Sequence, residues 1–150
     1  MIEQRLIYLD VCVLCRPFDN QQYLRIRMET ESVNLILANV KKGKYKLLIS
    51  PVHTKEIKAI PDIYERIQIK TILDRFGVHA DVNIDKTRER AEELVNIGFG
   101  VADAAHIAFA EKSRAPFISC DDRLIKKCLN YKIKIWCGNP VIFCEKEGLR

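Results

Sequence analysis

Long apolar runs are missing from this sequence, and glycine and proline are scarce. The longest uninterrupted apolar stretches span only a few residues, which excludes a segment able to cross a bilayer. Six glycines and five prolines in 150 residues exclude collagen-like and proline-rich low-complexity chains. The polar N-terminus, with Glu3 and Arg5, lacks the apolar stretch of a signal peptide. We therefore expect a cytoplasmic protein that folds as one domain over residues 1–150.

Histidine is also rare, with three residues, which limits the zinc sites that this chain can form. Cys12 and Cys15 form a C-x-x-C motif, which occurs in redox-active dithiols and in zinc sites. No second C-x-x-C motif and no nearby histidine completes a zinc set. We expect all six cysteines to be reduced, and those in apolar stretches to pack as small hydrophobic residues. A functional dithiol is the alternative.

Positive charge exceeds negative charge, and the net charge is +5. Basic residues cluster at 41–46 and again at Arg123, Lys126 and Lys127. This excess is compatible with a polyanionic partner such as nucleic acid, but it serves solubility equally well. Charge alone therefore does not decide between these two interpretations.

Short apolar runs alternate with longer segments of helical periodicity. The predicted strands cover 6–9, 46–49, 116–119 and 133–136, with a short strand or extended segment in 77–84. The predicted helices cover 21–40, 51–59, 62–76, 85–96, 101–112 and 121–129. Asp19 or Asn20, Ser50 before Pro51, and Asp85 are the predicted helix caps. This alternation predicts an α/β fold, a three-layer α/β/α sandwich with a mainly parallel central sheet.

Four acidic residues stand at the ends of predicted strands or in the first turns of the helices that follow: Asp10, Glu56, Asp103 and Asp121. Because the carboxyl ends of parallel strands share one edge of a sheet, we expect these side chains to converge. Clustered carboxylates repel one another unless a multivalent cation is present, and oxygen ligands suit Mg²⁺ or Mn²⁺. Considered alone, Asp10 is as compatible with a helix cap as with a metal ligand. Glu56 alone is typical of a surface residue. We assign the cap of the helix after 121 to Asp122, which leaves Asp121 for the metal.

The sequence as a whole resembles the PIN-domain nucleases, including the VapC-like toxins of prokaryotic toxin–antitoxin pairs. The matching segments extend over nearly the whole chain: Tyr8–Leu14 with Arg16–Phe18, Leu48–Pro51 leading to Glu56, Val101–Glu111, Phe117–Asp121 and Gly138–Val141. The resemblance implies a Mg²⁺- or Mn²⁺-dependent ribonuclease in which the same four acids bind metal and carry catalysis. It also implies a small antitoxin as a possible partner. One departure is Val11, which stands where the family usually has Thr or Ser.

The sequence also predicts roles for residues other than the four acids. Ser119 stands where the family usually has Thr or Ser, and it is expected to orient an acid or a water. His106 lies one turn after Asp103, and it either hydrogen-bonds a ligand carboxylate or is an ordinary buried helical histidine. The basic side chains expected to contact RNA phosphates are Arg16, Lys55 and Arg123.

Other functions stay open at this point. Because Val11 has no hydroxyl, the sequence is also compatible with a catalytically weak RNA-binding or scaffold module. Asp10 after a strand fits a phosphotransfer domain, although Cys12 stands where a haloacid-dehalogenase-type phosphatase has its second Asp. Nothing in the sequence separates RNA from DNA as the substrate. The helices 21–40 and 62–76 are expected to pack on the protein's own core, with an antitoxin groove or a homodimer interface as the alternatives.

Overall fold

The structure, a computed structural model, describes residues 4–150. The strands are Arg5–Leu9 (β1), Tyr45–Ile49 (β2), Gly77–His79 (β3), Phe117–Ile118 (β4) and Cys137–Gly138 (β5). The helices are Val11–Cys15 (α1), Leu24–Lys41 (α2), Pro51–Lys58 (α3), Ile63–Phe76 (α4), Ile84–Asn96 (α5), Val101–Lys112 (α6), Asp122–Asn130 (α7) and Pro140–Glu147 (α8), and a 3-10 turn covers Arg16–Phe18. Glu3, one of the polar residues considered near the N-terminus, lies outside the described residues. Within the described range no helix has the length and apolar character needed to cross a membrane.

The five strands form one parallel sheet in the order β3-β2-β1-β4-β5. Strand β1 lies at its centre and pairs with β2 and β4. Parallel neighbours need crossover connections, and the helices between the strands supply them. The prediction of an α/β fold with a mainly parallel sheet and helices on both faces is confirmed. All five carboxyl ends therefore lie along one edge.

Two apolar cores cover the two faces of the sheet. Alternate residues of β1 point to opposite faces, so Ile7 and Leu9 join one core while Tyr8 joins the other. The first core packs the sheet against α1, α2, α4 and α8, and the second packs it against α5, α6 and α7. Helix α3 contributes Ile57 to the first core and Val52 to the margin of the second. It therefore sits across the edge of the sheet rather than on one face.

Several predicted helix ends are wrong. Helix α2 begins at Leu24 rather than at 21, because the Asn20 side chain accepts the backbone N–H of Gln22 and holds a turn instead of a cap. Helix α5 is capped by Asn83, whose side chain accepts the N–H of Lys86, and not by Asp85. By contrast, Gly43 ends α2 as predicted, with a φ of 87° that L-residues rarely adopt.

The last strand and two helices also differ from the prediction. Strand β5 is Cys137–Gly138 rather than 133–136, because the side chains of Ile133 and Ile135 pack against the second core while their backbone stays outside the sheet. Helix α1 was missed because its five residues are nearly all apolar and show no amphipathic period. Helix α8 was missed although its signals are present: Asn139 caps it and Pro140 is its first residue.

Candidate metal centre

Asp10 follows the central strand directly and is buried, with 7% of the residue exposed. Its backbone N–H donates to the carbonyl of Ile118 at 2.9 Å, which continues the pairing of β1 with β4. The hydroxyl of Ser119, itself fully buried, donates to Oδ2 of Asp10 at 2.8 Å. The same hydroxyl accepts the backbone N–H of Asp121 at 3.0 Å. Ser119 therefore orients Asp10 and ties it to the segment that carries Asp121.

Glu56 and His106 come together beside Asp10. The imidazole Nε2 of His106 hydrogen-bonds to Oε1 of Glu56 and lies 3.8 Å from Oδ1 of Asp10. One ligand atom from each of these three residues lies within 4.8 Å of the other two. The hydrogen bond from His106 lowers the pKa of Glu56 below its ordinary value. His106 thus contacts a candidate ligand carboxylate, one of the two roles expected for it.

A buried hydrogen-bonded chain holds His106 from behind. The hydroxyl of Tyr8 bonds to Nδ1 of His106 and to Oγ of Ser50, the latter at 2.7 Å. Burial raises the pKa of Tyr8, so its hydroxyl stays protonated and donates a hydrogen bond to one of these two partners. The chain from Ser50 through Tyr8 and His106 to Glu56 therefore fixes the position of the Glu56 carboxylate. The pairings of Tyr8 with Ser50 and His106 were not predicted, since nothing local in the sequence marks them.

His53 is fully buried next to this chain, but it has a structural role. Its Nδ1 accepts the backbone N–H of Ser50 at 3.1 Å, so Nε2 carries the proton and donates to the carbonyl of Leu9 at 2.7 Å. Burial lowers the pKa of His53 to about 4. His53 is therefore neutral at physiological pH and joins the start of α3 to the end of β1.

Asp103 lies in the first turn of α6 and is partly buried. Burial raises its pKa, and the negative charges of Asp10, Asp121 and Glu56 raise it further. All four predicted acids are thus close enough to interact electrostatically, although they come from four separate segments. Such a set is unfavourable when every carboxylate is charged, and a divalent cation with oxygen ligands relieves the repulsion. The donor set therefore fits Mg²⁺ or Mn²⁺, and the role of these acids as metal ligands stays a prediction.

The assignment of the cap to Asp122 is wrong. Oδ1 of Asp121 accepts the backbone N–H groups of Arg123 and Leu124 at 3.0 and 3.2 Å, so Asp121 caps α7. Asp122 instead forms a two-pronged ion pair with Arg25, both distances being 2.6 Å. A cap must precede the helix with extended backbone, and Asp121 is the residue in that conformation. One Asp121 oxygen is therefore already engaged by the helix.

The three basic residues predicted to contact RNA lie in different settings. The Arg16 guanidinium pairs with Asp19 at 3.0 Å and with the buried Glu29 at 3.3 Å, so a phosphate would compete with two internal carboxylates. Lys55 on α3 and Arg123 on α7 are both exposed. Contact with RNA stays a prediction for all three residues.

All six cysteines are free thiols. Cys12 does not pair with Cys15: its sulfur accepts the backbone N–H of Cys120 at 3.4 Å and lies 3.5 Å from the hydroxyl of Ser119. The side-chain hydrogen bond with Cys120 and burial raise the pKa of Cys12, and they outweigh the backbone N–H of Cys120, which lowers it. The C-x-x-C spacing therefore does not correspond to a joined dithiol in this structure.

The fold is a PIN-like three-layer α/β/α sandwich. A solved structure with this arrangement is that of FitAcB from Neisseria gonorrhoeae, which matches with a TM-score of 0.55 and 15% sequence identity. The match covers 89% of this chain and 97% of the other. At that identity the likeness concerns the fold alone. No family model matches the sequence, and no curated protein matches it.

Proposed function

We propose that this protein is a Mg²⁺- or Mn²⁺-dependent ribonuclease that hydrolyses phosphodiester bonds. The observation that carries this proposal is the group of Asp10, Glu56 and His106 at the carboxyl edge of a parallel sheet, whose ligand atoms lie within 4.8 Å of one another. Asp103 and Asp121 lie close enough for the charges of Asp10, Asp121 and Glu56 to raise the pKa of Asp103. The PIN-like fold supports it, because the family that the sequence resembles is built on this fold. We assign metal binding and catalysis to these four acids.

The chain's own residues would shape the site in defined ways. Ser119 holds one oxygen of Asp10 and leaves the other toward His106, while His106 holds one oxygen of Glu56. When bound, the divalent ion supplies charge neutralisation at the phosphodiester and activation of the attacking water. The fixed carboxylates limit the reorganisation needed when substrate binds.

The test is cleavage of a single-stranded RNA, with and without Mn²⁺. We expect cleavage that requires the ion, stops with a chelator and is abolished by Asp10→Asn or Asp103→Asn. Asp81→Asn, which removes a charge from an exposed residue outside the site, is the control and should cleave normally. Undiminished cleavage by Asp10→Asn would contradict the proposal. A DNA strand of the same sequence, run in parallel, distinguishes a ribonuclease from a nuclease that accepts both polymers.

A catalytically weak RNA-binding module is the second candidate. It is favoured by Val11, whose apolar side chain is buried in the first core and offers no hydroxyl beside Asp10. Calorimetry with Mn²⁺ separates the two functions. RNA affinity without measurable Mn²⁺ binding would favour this module, and Mn²⁺ binding that disappears in Asp10→Asn would favour the nuclease.

We further propose that a small antitoxin protein covers the outer face of α2 and α4. These helices bury one side in the first core, as predicted, but they also expose apolar side chains: Tyr23, Leu24 and Met28 on or next to α2, and Ile63, Tyr64 and Ile67 on α4. Tyr64 is 67% exposed and contacts the ring of Phe18. Exposed apolar patches of this kind mark interaction surfaces. The alternative occupant of this face is a second copy of the same chain, and light scattering on the isolated protein tests it. A dimer that is lost in Tyr64→Ser would assign the face to that second copy.

A further inference from the structure

A groove runs along the face of α3 that carries Thr54 and Lys58. It consists of two adjoining cavities of about 470 and 250 Å³. The two cavities share four lining residues, namely Ile49, Thr54, Lys58 and His79. The larger cavity alone falls within the roughly 300–1,000 Å³ of typical ligand sites.

This groove and the candidate metal centre lie on the same edge of the sheet. Ile49 ends β2 and His79 ends β3, whereas Asp10 follows β1. The end of β3 lies two strands from the end of β1, which is about 10 Å at ordinary strand spacing. Helix α3 separates the two sites, with Glu56 bonded to His106 on one side and Lys55 and Lys58 lining the groove on the other.

The lining combines positive charge with an apolar wall. Lys55, Lys58 and His79 line the larger cavity, and none of its lining residues is acidic. No ion pair within residues 4–150 engages either lysine. In the smaller cavity Lys70 is neutralised by Asp74 at 3.1 Å. Within the described residues the larger cavity therefore has two lysines without an ion-pair partner, Lys55 and Lys58, whereas the smaller cavity has only the shared Lys58.

The apolar part of the larger cavity includes Phe109, Ile84, Ala80 and Pro51, and Ser50 and Thr54 also line it. An occupant that suits these groups carries an anion at one end and a flat apolar body at the other. A nucleotide has both features, since its phosphate is anionic and its base has an apolar face that stacks on aromatic and aliphatic side chains.

We propose that this groove binds one nucleotide of a single-stranded RNA about two to three nucleotides from the bond that is cleaved. Its phosphate contacts Lys55, Lys58 and His79, and its base packs against Phe109 and Ile84. The proposal rests on the proposed function, because the groove would hold the substrate while the acids act on it.

The first experiment measures binding alone, using a fluorescent single-stranded RNA and protein that carries Asp103→Asn to prevent cleavage. Adding Lys55→Ala with Lys58→Ala should weaken binding about tenfold, and the slope of log affinity against log salt should fall by about 0.7 for each phosphate that the protein no longer neutralises. The matched control is Lys41→Ala with Lys42→Ala, two exposed lysines at the opposite edge of the sheet. An equal loss of affinity in both double variants would show that RNA is attracted by the overall positive charge of the protein, and it would overturn the proposal that the groove binds a nucleotide.

The second experiment locates the nucleotide. An abasic residue is moved along the RNA, and we expect one position, two to three nucleotides from the cleaved bond, to weaken binding most. Thr54→Trp fills the groove from the exposed face of α3, and it should weaken binding and remove that positional effect. An unchanged positional profile in Thr54→Trp would overturn the proposal.

The two proposals fail in different ways. If wild-type protein shows no metal-dependent cleavage but the lysine and tryptophan variants lose RNA binding, the nuclease proposal fails and the groove stands. If cleavage requires the acids but every groove variant binds RNA normally, the groove fails and the nuclease stands. Thermal melting of each variant checks that its fold is intact.

Discussion

Replacing Asp103 with asparagine should have opposite effects on stability with and without metal. The structure shows crowded carboxylates: ligand oxygens of Asp10 and Glu56 lie within 4.8 Å, where two unit charges at an effective dielectric constant of 20 repel by about 3 kcal/mol. The pKa of Asp103 is raised by burial and by the charges of Asp10 and Asp121. A carboxyl group with a raised folded pKa stabilises the fold below its ordinary pKa and loses that contribution as pH rises. At neutral pH, with a chelator present, Asp103→Asn should therefore melt at the wild-type temperature or higher.

Metal should reverse this order. A cation that binds only the folded state stabilises it by about 2.7 kcal/mol at 100 times its Kd, which raises Tm by about 5–10 °C in a protein of this size. A 100-fold loss of affinity would reduce that gain to about 0.4 kcal/mol. Thermal melts with a chelator and with Mn²⁺, on wild type, Asp103→Asn and the control Asp81→Asn, measure both effects. An Asp103→Asn variant that melts lower in chelator, yet gains the full Mn²⁺ shift, would refute the reasoning.

Three further predictions concern the residues that hold the acids. Ser119→Ala removes the hydrogen bond to Asp10 and should weaken Mn²⁺ binding about 10- to 100-fold by calorimetry; unchanged affinity would exclude an orienting role. His106→Phe removes the hydrogen bond that lowers the pKa of Glu56. That stabilisation exists above the ordinary Glu pKa of about 4.3 and is lost as pH falls through the lower folded value, so the stability difference from wild type should shrink below about pH 4. A difference independent of pH in urea titrations would contradict it. Tyr8→Phe breaks bonds to Ser50 and His106 and should cost about 1–3 kcal/mol in urea unfolding, whereas full stability would mean that this chain contributes nothing to the fold.

The sequence was sufficient for the parts of the fold that depend on local signals. Alternating short apolar runs and helical segments predicted the parallel sheet, and Ser50 before Pro51 marked the start of α3 correctly. Errors arose where two local signals competed. Asp121 and Asp122 both suit a cap, and only the backbone path after β4 shows that Asp121 has the extended conformation that a cap needs.

In the candidate site, too, some features could be predicted from local sequence signals and others could not. Its four acids were predicted from their positions after strands or at helix starts, because parallel topology brings these positions to one edge. The partners of those acids were identified only in part. Ser119 was expected beside an acid, whereas the bonds from Tyr8 to Ser50 and to His106 join residues 42 and 98 positions apart.

The amino-acid sequence by itself therefore determined the class of fold, and it predicted the edge of the sheet for the acids and the kind of metal that suits them. These properties follow from periodicity, strand ends and the chemistry of carboxylates, all of which are local or set by simple topology. Only the tertiary structure decided that Glu56 pairs with His106, that Asp121 caps a helix and that Lys55 and Lys58 line a groove. Each of these contacts depends on how separate helices pack across the sheet, and distances between packed elements are not encoded in any single segment.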